Sequence, residues 1–347
     1  MIDNNKITIG NRQIGPMYPP FVIPEIGINH EGNINRAIKM VDDAFDAGAE
    51  CVKFQCHIVE DEMIYNEVIP SNANESIWDI MKRCSLKEEE DLYLKEYVES
   101  KGMIYLSTPF SKAAIERLER IGVTVYKIGS GECNNYPLVE RIASCGKTVI
   151  LSTGMNDISN VTRSVAILQK HNVHFAILHC TSIYPTPYNK VRLGALKELK
   201  KAFPGAVIGL SDHSLSHYPC LGAVALGASI LERHFTSDKN WPGPDMEISM
   251  NPDELKQLID GSRIIHQTLG GRKEILDEEK PTIDFAYASI VTIQAVKKGE
   301  LFTEKNIWVK RPGTGEIPAA EYKNVLGKAA AADIPCDVQL SYEVVNE

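Results

Sequence analysis

Between Phe21 and Phe235 the chain carries eight short apolar, β-branched runs, and stretches of helical spacing separate them. The runs are FVIPEIGIN from Phe21, CVKFQ from Cys51, MIYLST from Met103, VYKIGS from Val125, TVILSTG from Thr148, FAILHCT from Phe175, AVIGLSDH from Ala206 and SILERHF from Ser229. After the first run, Ala37, Met40, Val41 and Ala44 recur at three and four residues, the period of a helix with one buried face. Further helices are expected near 88–100, 113–121, 137–144, 159–170, 194–202, 218–226 and 253–269. Eight such units favour a closed (β/α)₈ barrel over an open doubly wound sheet.

Such a barrel uses about 250 residues. The 347-residue chain therefore has room for one more small domain. The stretch GGRKEILDEEKPTI from Gly270 is charged, glycine-led and proline-bearing, and reads as a linker over 270–284. Beyond it, short β-like runs alternate with KKG and PGTG turns. The expected division is a barrel over 1–269 and a small β-rich domain over 285–347.

A composition of 44% hydrophobic and 24% charged residues is that of a globular protein. The balance of 37 basic against 46 acidic residues disfavours a nucleic-acid or anionic-membrane binder, which needs a positive field. A local anion site remains compatible with that charge. No apolar stretch approaches the roughly 20 residues of a membrane span, and MIDNNKITIG lacks a signal core. The eight cysteines contain no CxxC pair and read as reduced thiols of a cytoplasmic protein. No GxGxxG, P-loop, HExxH or GxSxG motif occurs.

Most of the runs end in polar residues, and the C-terminal strand ends are where barrel enzymes carry their chemistry. His213 and His234 close the seventh and eighth strands. Two imidazoles at neighbouring strand tips suit an open-sided divalent site, such as Mn²⁺, that can polarise a carbonyl. Glu25 and Glu132 are candidate acid–base groups in a semi-buried mouth. For Glu25, a salt bridge to Lys53 or Lys127 is a rival role, and both could hold. Lys53, Lys127, Thr108, Ser130, Ser152 and Ser211 offer two ammonium groups and several hydroxyls, the equipment for a phosphate or carboxylate. Gln55, Tyr184 and Asp245 suit a polyol. The long connection from Cys56 to Ser85, with its acidic run IVEDEM, is either a lid or a solvated loop. Two rival functions remain on these residues: a metal-dependent aldolase acting on free pyruvate, and a carbohydrate- or ice-binding protein led by the tail.

Longer strings carry a resemblance. EIGINHEG at Glu25, HIVEDEM at His57, STPFS at Ser107, YKIGSGECNNYPL at Tyr126, LSTGMN at Leu151, YPTPY at Tyr184, GLSDHS at Gly209, GAVALGASILERHF at Gly222, PGPD at Pro242 and NIWVKRPGTG at Asn306 run almost end to end. On these the chain resembles the bacterial sialic acid synthases, the nonulosonic acid synthase family. The resemblance implies a (β/α)₈ barrel followed by an antifreeze-like domain. It implies condensation of phosphoenolpyruvate with an open-chain N-acetylhexosamine, usually N-acetylmannosamine, with release of phosphate. It also implies a divalent metal, commonly manganese, with Mg²⁺ or Co²⁺ as alternatives, and a homodimer in which the tail domain of one chain covers the barrel mouth of the other.

By the same resemblance, His213 and His234 are metal ligands. Lys53, Thr108, Lys127, Ser130, Ser152, Ser182 and Ser211 hold phosphoenolpyruvate, and Gln55, Tyr184 and Asp245 contact the sugar. Arg311 reaches the sugar's N-acyl group from the partner chain, and Glu25 and Glu132 move protons. Close members of the family read KHQTH where this chain has KFQCH from Lys53, and Asn where Ser182 stands. Strand alternation turns Phe54 away from the mouth. Synthases of legionaminic and pseudaminic acid share the same core, so the sugar is left open.

Overall fold

All eight apolar runs become strands, and a hairpin not foreseen in the sequence precedes them. The chain, a computed structural model described over residues 5–346, starts with β1 (Ile7–Ile9) and β2 (Arg12–Ile14), paired antiparallel. The barrel strands follow as β3 (Phe21–Gly27), β4 (Cys51–Cys56), β5 (Ile104–Pro109), β6 (Val125–Ile128), β7 (Thr148–Ser152), β8 (Phe175–Cys180), β9 (Val207–Ser211) and β10 (Ile230–His234). Each pairs in parallel with the next, and β10 pairs with β3 to close the ring. At that seam Glu25 lies opposite His234.

Helices fill the connections for the reasons their sequences give. The helix Ile34–Asp46 buries Ala37, Met40, Val41 and Ala44, and the Asn33 side chain caps it by accepting from the amides of Asn35 and Arg36. The helix Pro252–Gln267 starts with a capping box between Asn251 and Glu254. Alternation along each strand sorts the side chains into two layers. On β4, Val52, Phe54 and Cys56 enter the core beneath the helices, where the Phe54 ring stacks on Tyr105 at 5.6 Å. Lys53 and Gln55 face the barrel interior instead. At the opposite end, Ile7, Ile9 and Ile14 of the hairpin pack against Phe21, Val125, Val207 and Ile230, residues that begin their strands. The hairpin thus stoppers the N-terminal end of the barrel.

Two stretches expected to be irregular contain helices. The connection from Cys56 to Ser85 holds Val59–Glu62 and Ile77–Cys84. The stretch expected as a linker holds a 3₁₀ turn, Asp277–Glu279, and the helix Lys280–Ala286. The chain divides between Gly270 and Gly271, so that stretch belongs with the second unit.

The second unit has its own core of Ile290, Phe302, Ile307, Ile317 and Leu340. Its antiparallel pair is β11 (Ser289–Thr292) and β12 (Ile307–Lys310), extended by isolated bridges such as Val291 to Gln339. All eight cysteines are free. Among the described residues no helix is long and apolar enough to cross a membrane.

Candidate active site

The C-terminal ends of the barrel strands surround a cavity of about 590 Å³. Its floor is a cluster of four buried charges. The Lys53 ammonium lies 2.7 Å from Glu25 and 3.8 Å from Glu232, and it donates to Thr108 Oγ1 at 3.1 Å. The Lys127 ammonium lies 3.7 Å from the same Glu232 oxygen and donates to Ser152 Oγ at 2.7 Å. Ser211 donates to that oxygen at 3.4 Å.

These neighbours set the titration of each group. Burial works to raise Glu232, but the ammonium groups of Lys127 and Lys53 outweigh it and hold the carboxyl below its usual range. Glu25 has one ammonium against the charge of Glu232, and burial pushes it up to about 7. For Lys53, burial is outweighed by Glu232 and Glu25, so its value is raised. For Lys127, burial prevails and lowers it. The floor therefore holds one firmly ionised carboxylate, Glu232, and one carboxyl poised to exchange a proton, Glu25.

Beside the floor, hydroxyls converge on a backbone turn. Ser130 Oγ accepts from the Gly154 amide at 3.0 Å and also interacts with Cys180. A Cβ on Gly154 would meet Ser182 Oγ at 2.3 Å and Ser130 Oγ at 2.8 Å. Only glycine lets the chain come so close to both hydroxyls. Glu132 and Phe110 both approach Gly129, and Glu132 Oε2 is buried without a hydrogen-bond partner. Burial pushes its carboxyl up to about 7, and Glu62 adds to the rise.

The two imidazoles face one another with centroids 5.5 Å apart. The Nδ1 of His213 donates to the Thr181 carbonyl at 3.1 Å, which fixes the ring and leaves Nε2 free. Tyr184 packs over that ring at 4.2 Å. The Nδ1 of His234 is buried without a hydrogen-bond partner, 3.6 Å from Asp245. Burial, His213 and Lys53 keep His234 far below the usual imidazole value, hence neutral, the form that ligates metals. Asn72 donates to Asp245 at 3.3 Å, and burial pushes that carboxyl up to about 6. Among the described residues no group of three or more His, Cys, Asp and Glu side chains is arranged to hold an ion. A cation here would rest on two imidazoles and take its other ligands from water and substrate. The unpartnered Nδ1 of neutral His234 fits that requirement. His213, where burial is outweighed by Cys180 and the value is raised to about 9, fits it once a cation displaces the second proton of its ring.

The mouth thus gathers every expected site residue of the first unit: Glu25, Lys53, Gln55, Thr108, Lys127, Ser130, Glu132, Ser152, Ser182, Tyr184, Ser211, His213, His234 and Asp245. Arg311 is in the second unit, exposed, with its guanidinium 5.9 Å from the Phe285 ring. The expected salt bridge of Glu25 is made to Lys53. Sequence reading missed Glu232, His57, Glu62 and Asn72, all of which line the mouth. Glu232 was within reach of the strand period, since it stands two residues before His234 on the same face. Other polar tip residues turn outward: Asp212 pairs with Arg233 at 2.5 Å, and Thr181 donates to Lys190.

Known proteins carry the same arrangement of sequence. Residues 40–274 match the NeuB family and residues 287–343 match the SAF domain. An uncharacterized protein of Methanocaldococcus jannaschii is 40% identical over 312 residues, 89% of this chain and 90% of that protein. The N,N'-diacetyllegionaminic acid synthase of Campylobacter jejuni is 36% identical over 326 residues, 90% of this chain and 96% of the relative. Among solved structures, the N-acetylneuraminic acid (sialic acid) synthetase of Leptospira borgpetersenii superposes with a TM-score of 0.74 at 36% identity, covering 80% of this chain and 95% of that one. The chain belongs to the NeuB family, a family of sialic, legionaminic and pseudaminic acid synthases, and carries a C-terminal SAF domain.

Proposed function

We propose that the protein condenses phosphoenolpyruvate with the open-chain form of an N-acetylated hexosamine, giving a nonulosonic acid and phosphate. The observation that carries the reading is the pair of buried ammonium groups, Lys53 and Lys127, astride Glu232 and ringed by hydroxyls. Free pyruvate, the substrate of a rival aldolase, has no phosphate to occupy so many donors.

The enol carbon C3 of phosphoenolpyruvate attacks the aldehyde carbon of the sugar, forming the new C–C bond. The cation left at C2 is captured by water, and the tetrahedral intermediate loses phosphate by C–O cleavage. Lys53 and Lys127 hold the anionic groups while charge shifts among them. Ser130, Ser152, Ser182, Ser211 and Thr108 supply neutral donors, and Gln55, Tyr184 and Asp245 hold the sugar. Glu25 or Glu132 takes the proton released by the attacking water. Each is buried and pushed up to about 7, where a carboxylate is basic enough to accept it. The aldehyde oxygen gains a proton in the same cycle, so two carboxyl groups near neutrality serve the two transfers. A divalent cation, Mn²⁺ in this reading, would be held by His213 and His234 and would supply Lewis acidity toward the aldehyde oxygen. Arg311 completes the sugar site in a domain-swapped homodimer by donating to the N-acyl carbonyl.

N-acetylmannosamine is the first substrate to test. A second reading, a diacetamido-trideoxyhexose, is favoured by the apolar side of the mouth, where Ile28, Ile77, Ile80 and Met81 would suit a methyl group better than a hydroxymethyl. The test is incubation with phosphoenolpyruvate, Mn²⁺ and a panel of N-acetylated hexosamines, with product mass as readout. Phosphate release with one or more of these sugars supports the reading. No release with any of them overturns it.

A further inference from the structure

The acidic run at residues 60–62 has a use that the condensation chemistry leaves unexplained. Each of its three carboxylates has its own partner. Glu60 pairs with Lys82 on the helix Ile77–Cys84. Asp61 accepts from the Ala113 amide at 2.8 Å, in the first turn of the helix Lys112–Arg120. Glu62 turns toward the mouth and meets Nδ1 of His57 at 2.7 Å. Two carboxylates therefore pin the segment to its neighbours, and the third reaches inward.

His57 is 4% exposed and lies flat on Phe110, with centroids 4.4 Å apart and planes 14° from parallel. Its Nε2 is 2.9 Å from Gln55 Oε1. The other end of the same amide, Gln55 Nε2, donates to Glu25 Oε1 at 2.9 Å. Gly27, at φ +54°, makes room for this meeting, since a Cβ there would be 3.2 Å from Glu25 Oε1 and 3.3 Å from Gln55 Nε2. An unbroken line of side chains thus runs from the rim segment to the acid–base carboxyl: Glu62, His57, Gln55, Glu25.

The line has a direction because the two ends of an amide differ. Toward a carboxylate Gln55 must present its N–H, and it then presents its oxygen to His57. That oxygen needs a donor, so Nε2 of His57 must present its N–H there, while the other ring nitrogen meets the Glu62 carboxyl. Without the donor the amide would turn, and its oxygen would face the carboxylate oxygen of Glu25. We propose that Glu62 and His57 are positioning residues for the acid–base centre: Glu62 fixes the imidazole, and the imidazole decides which end of the Gln55 amide faces Glu25. The seating of the segment Val59–Glu62 and the readiness of Glu25 are thereby linked. This rests on the acid–base reading of Glu25 given above.

Glu62→Gln keeps the shape and a partner at Nδ1 but removes the charge. Turnover should fall about tenfold or more, as for loss of a charge-assisted bond. The KM for phosphoenolpyruvate should stay within about twofold, because Glu62 acts through Gln55 and not on the anion site. The decisive comparison is a double-mutant cycle. In a Gln55→Ala background Glu62→Gln should cost much less than in wild type, because its route to Glu25 is already cut and only the effect of its charge on Glu132 is left. An equal loss in both backgrounds would mean that Glu62 only anchors the loop, and no loss in either would deny it any role; both outcomes overturn the proposal. A second measurement needs no turnover. In protein labelled with ¹⁵N-glutamine, the Gln55 side-chain amide is the signal that disappears in Gln55→Ala. That signal should shift in Glu62→Gln and in His57→Gln, and its failure to move would also overturn the proposal. A wild-type protein that releases no phosphate from phosphoenolpyruvate would refute the proposed function and leave this spectroscopic test standing.

Discussion

Replacing Lys127 with Met separates the use of this ammonium from its cost. Nζ of Lys127 donates to Ser152 Oγ at 2.7 Å and to the Ile128 carbonyl at 3.0 Å, and Glu232 is 3.7 Å away. At an effective dielectric of about 20, one carboxylate at that distance attracts it by on the order of 4 kcal/mol. Burial nonetheless prevails, since the value of Lys127 is lowered, not raised. A lysine whose folded value lies below its unfolded one is disfavoured in its charged form by folding, so at neutral pH it subtracts from stability. Lys53 is the reverse case. Its value is raised by Glu232 and Glu25, against burial, so its contribution is fully present below the unfolded value and is lost only as pH rises through the folded one. Both ammonium groups face the proposed anion, and a charge-assisted contact is worth about 1.5–3 kcal/mol. Each Met variant should therefore raise the KM for phosphoenolpyruvate by about ten- to hundredfold. Thermal unfolding at pH 7 should grade them: both Met variants melt lower, since each leaves the buried Glu232 with one ammonium fewer, and Lys53→Met melts lower than Lys127→Met because it also unpairs Glu25. The assay is initial phosphate release at varied phosphoenolpyruvate, with a melting curve of each protein. An unchanged KM for Lys127→Met, or a melting temperature as low as that of Lys53→Met, would refute the reasoning.

Three more outcomes are expected. If Glu132 is the base, kcat/KM should fall as pH drops through about 7; its raised value also means that its stabilising contribution is complete below pH 4.5 and is lost as pH rises through about 7. Glu132→Gln should therefore melt higher than wild type at pH 8 while losing turnover, and a lower melting point would contradict the assignment. Exhaustive chelation should abolish turnover and Mn²⁺ should restore it, with His213→Ala needing far more metal; full activity without metal would remove the two-imidazole site from the mechanism. Arg311→Ala should weaken the sugar more than phosphoenolpyruvate, and mixing it with His213→Ala chains should recover part of the activity once exchange of tagged subunits is demonstrated. A mixture as inactive as its parents would contradict the shared site.

The barrel was legible because its strands are buried on both faces and so read as continuous apolar runs. The mouth was legible because polar residues interrupt those runs at one end only. Alternation then divides the polar tips, and here reading by residue type fell short. Asp212 and His213 are adjacent, yet Asp212 turns outward to Arg233 while His213 faces the cavity. Glu25 was conspicuous against the apolar residues of PEIGIN, whereas Glu232 was masked by its polar neighbours Arg233 and His234. The rim residues His57, Glu62 and Asn72 lie in a long connection of short helices and turns whose length gave no register. The hairpin β1–β2 is three residues per strand, too short for periodicity to declare it.

The claim at the centre of this account is that the barrel joins phosphoenolpyruvate to an aldehyde sugar and breaks the bond between carbon and the bridging oxygen. The direct measurement uses phosphoenolpyruvate labelled with ¹⁸O at that bridging position, turned over with the accepted N-acetylated hexosamine and Mn²⁺. Mass spectrometry of both products follows the label. The account predicts that all of it leaves in the phosphate, because water supplies the new oxygen at C2. Label retained in the nine-carbon acid would mean P–O cleavage and would contradict the mechanism.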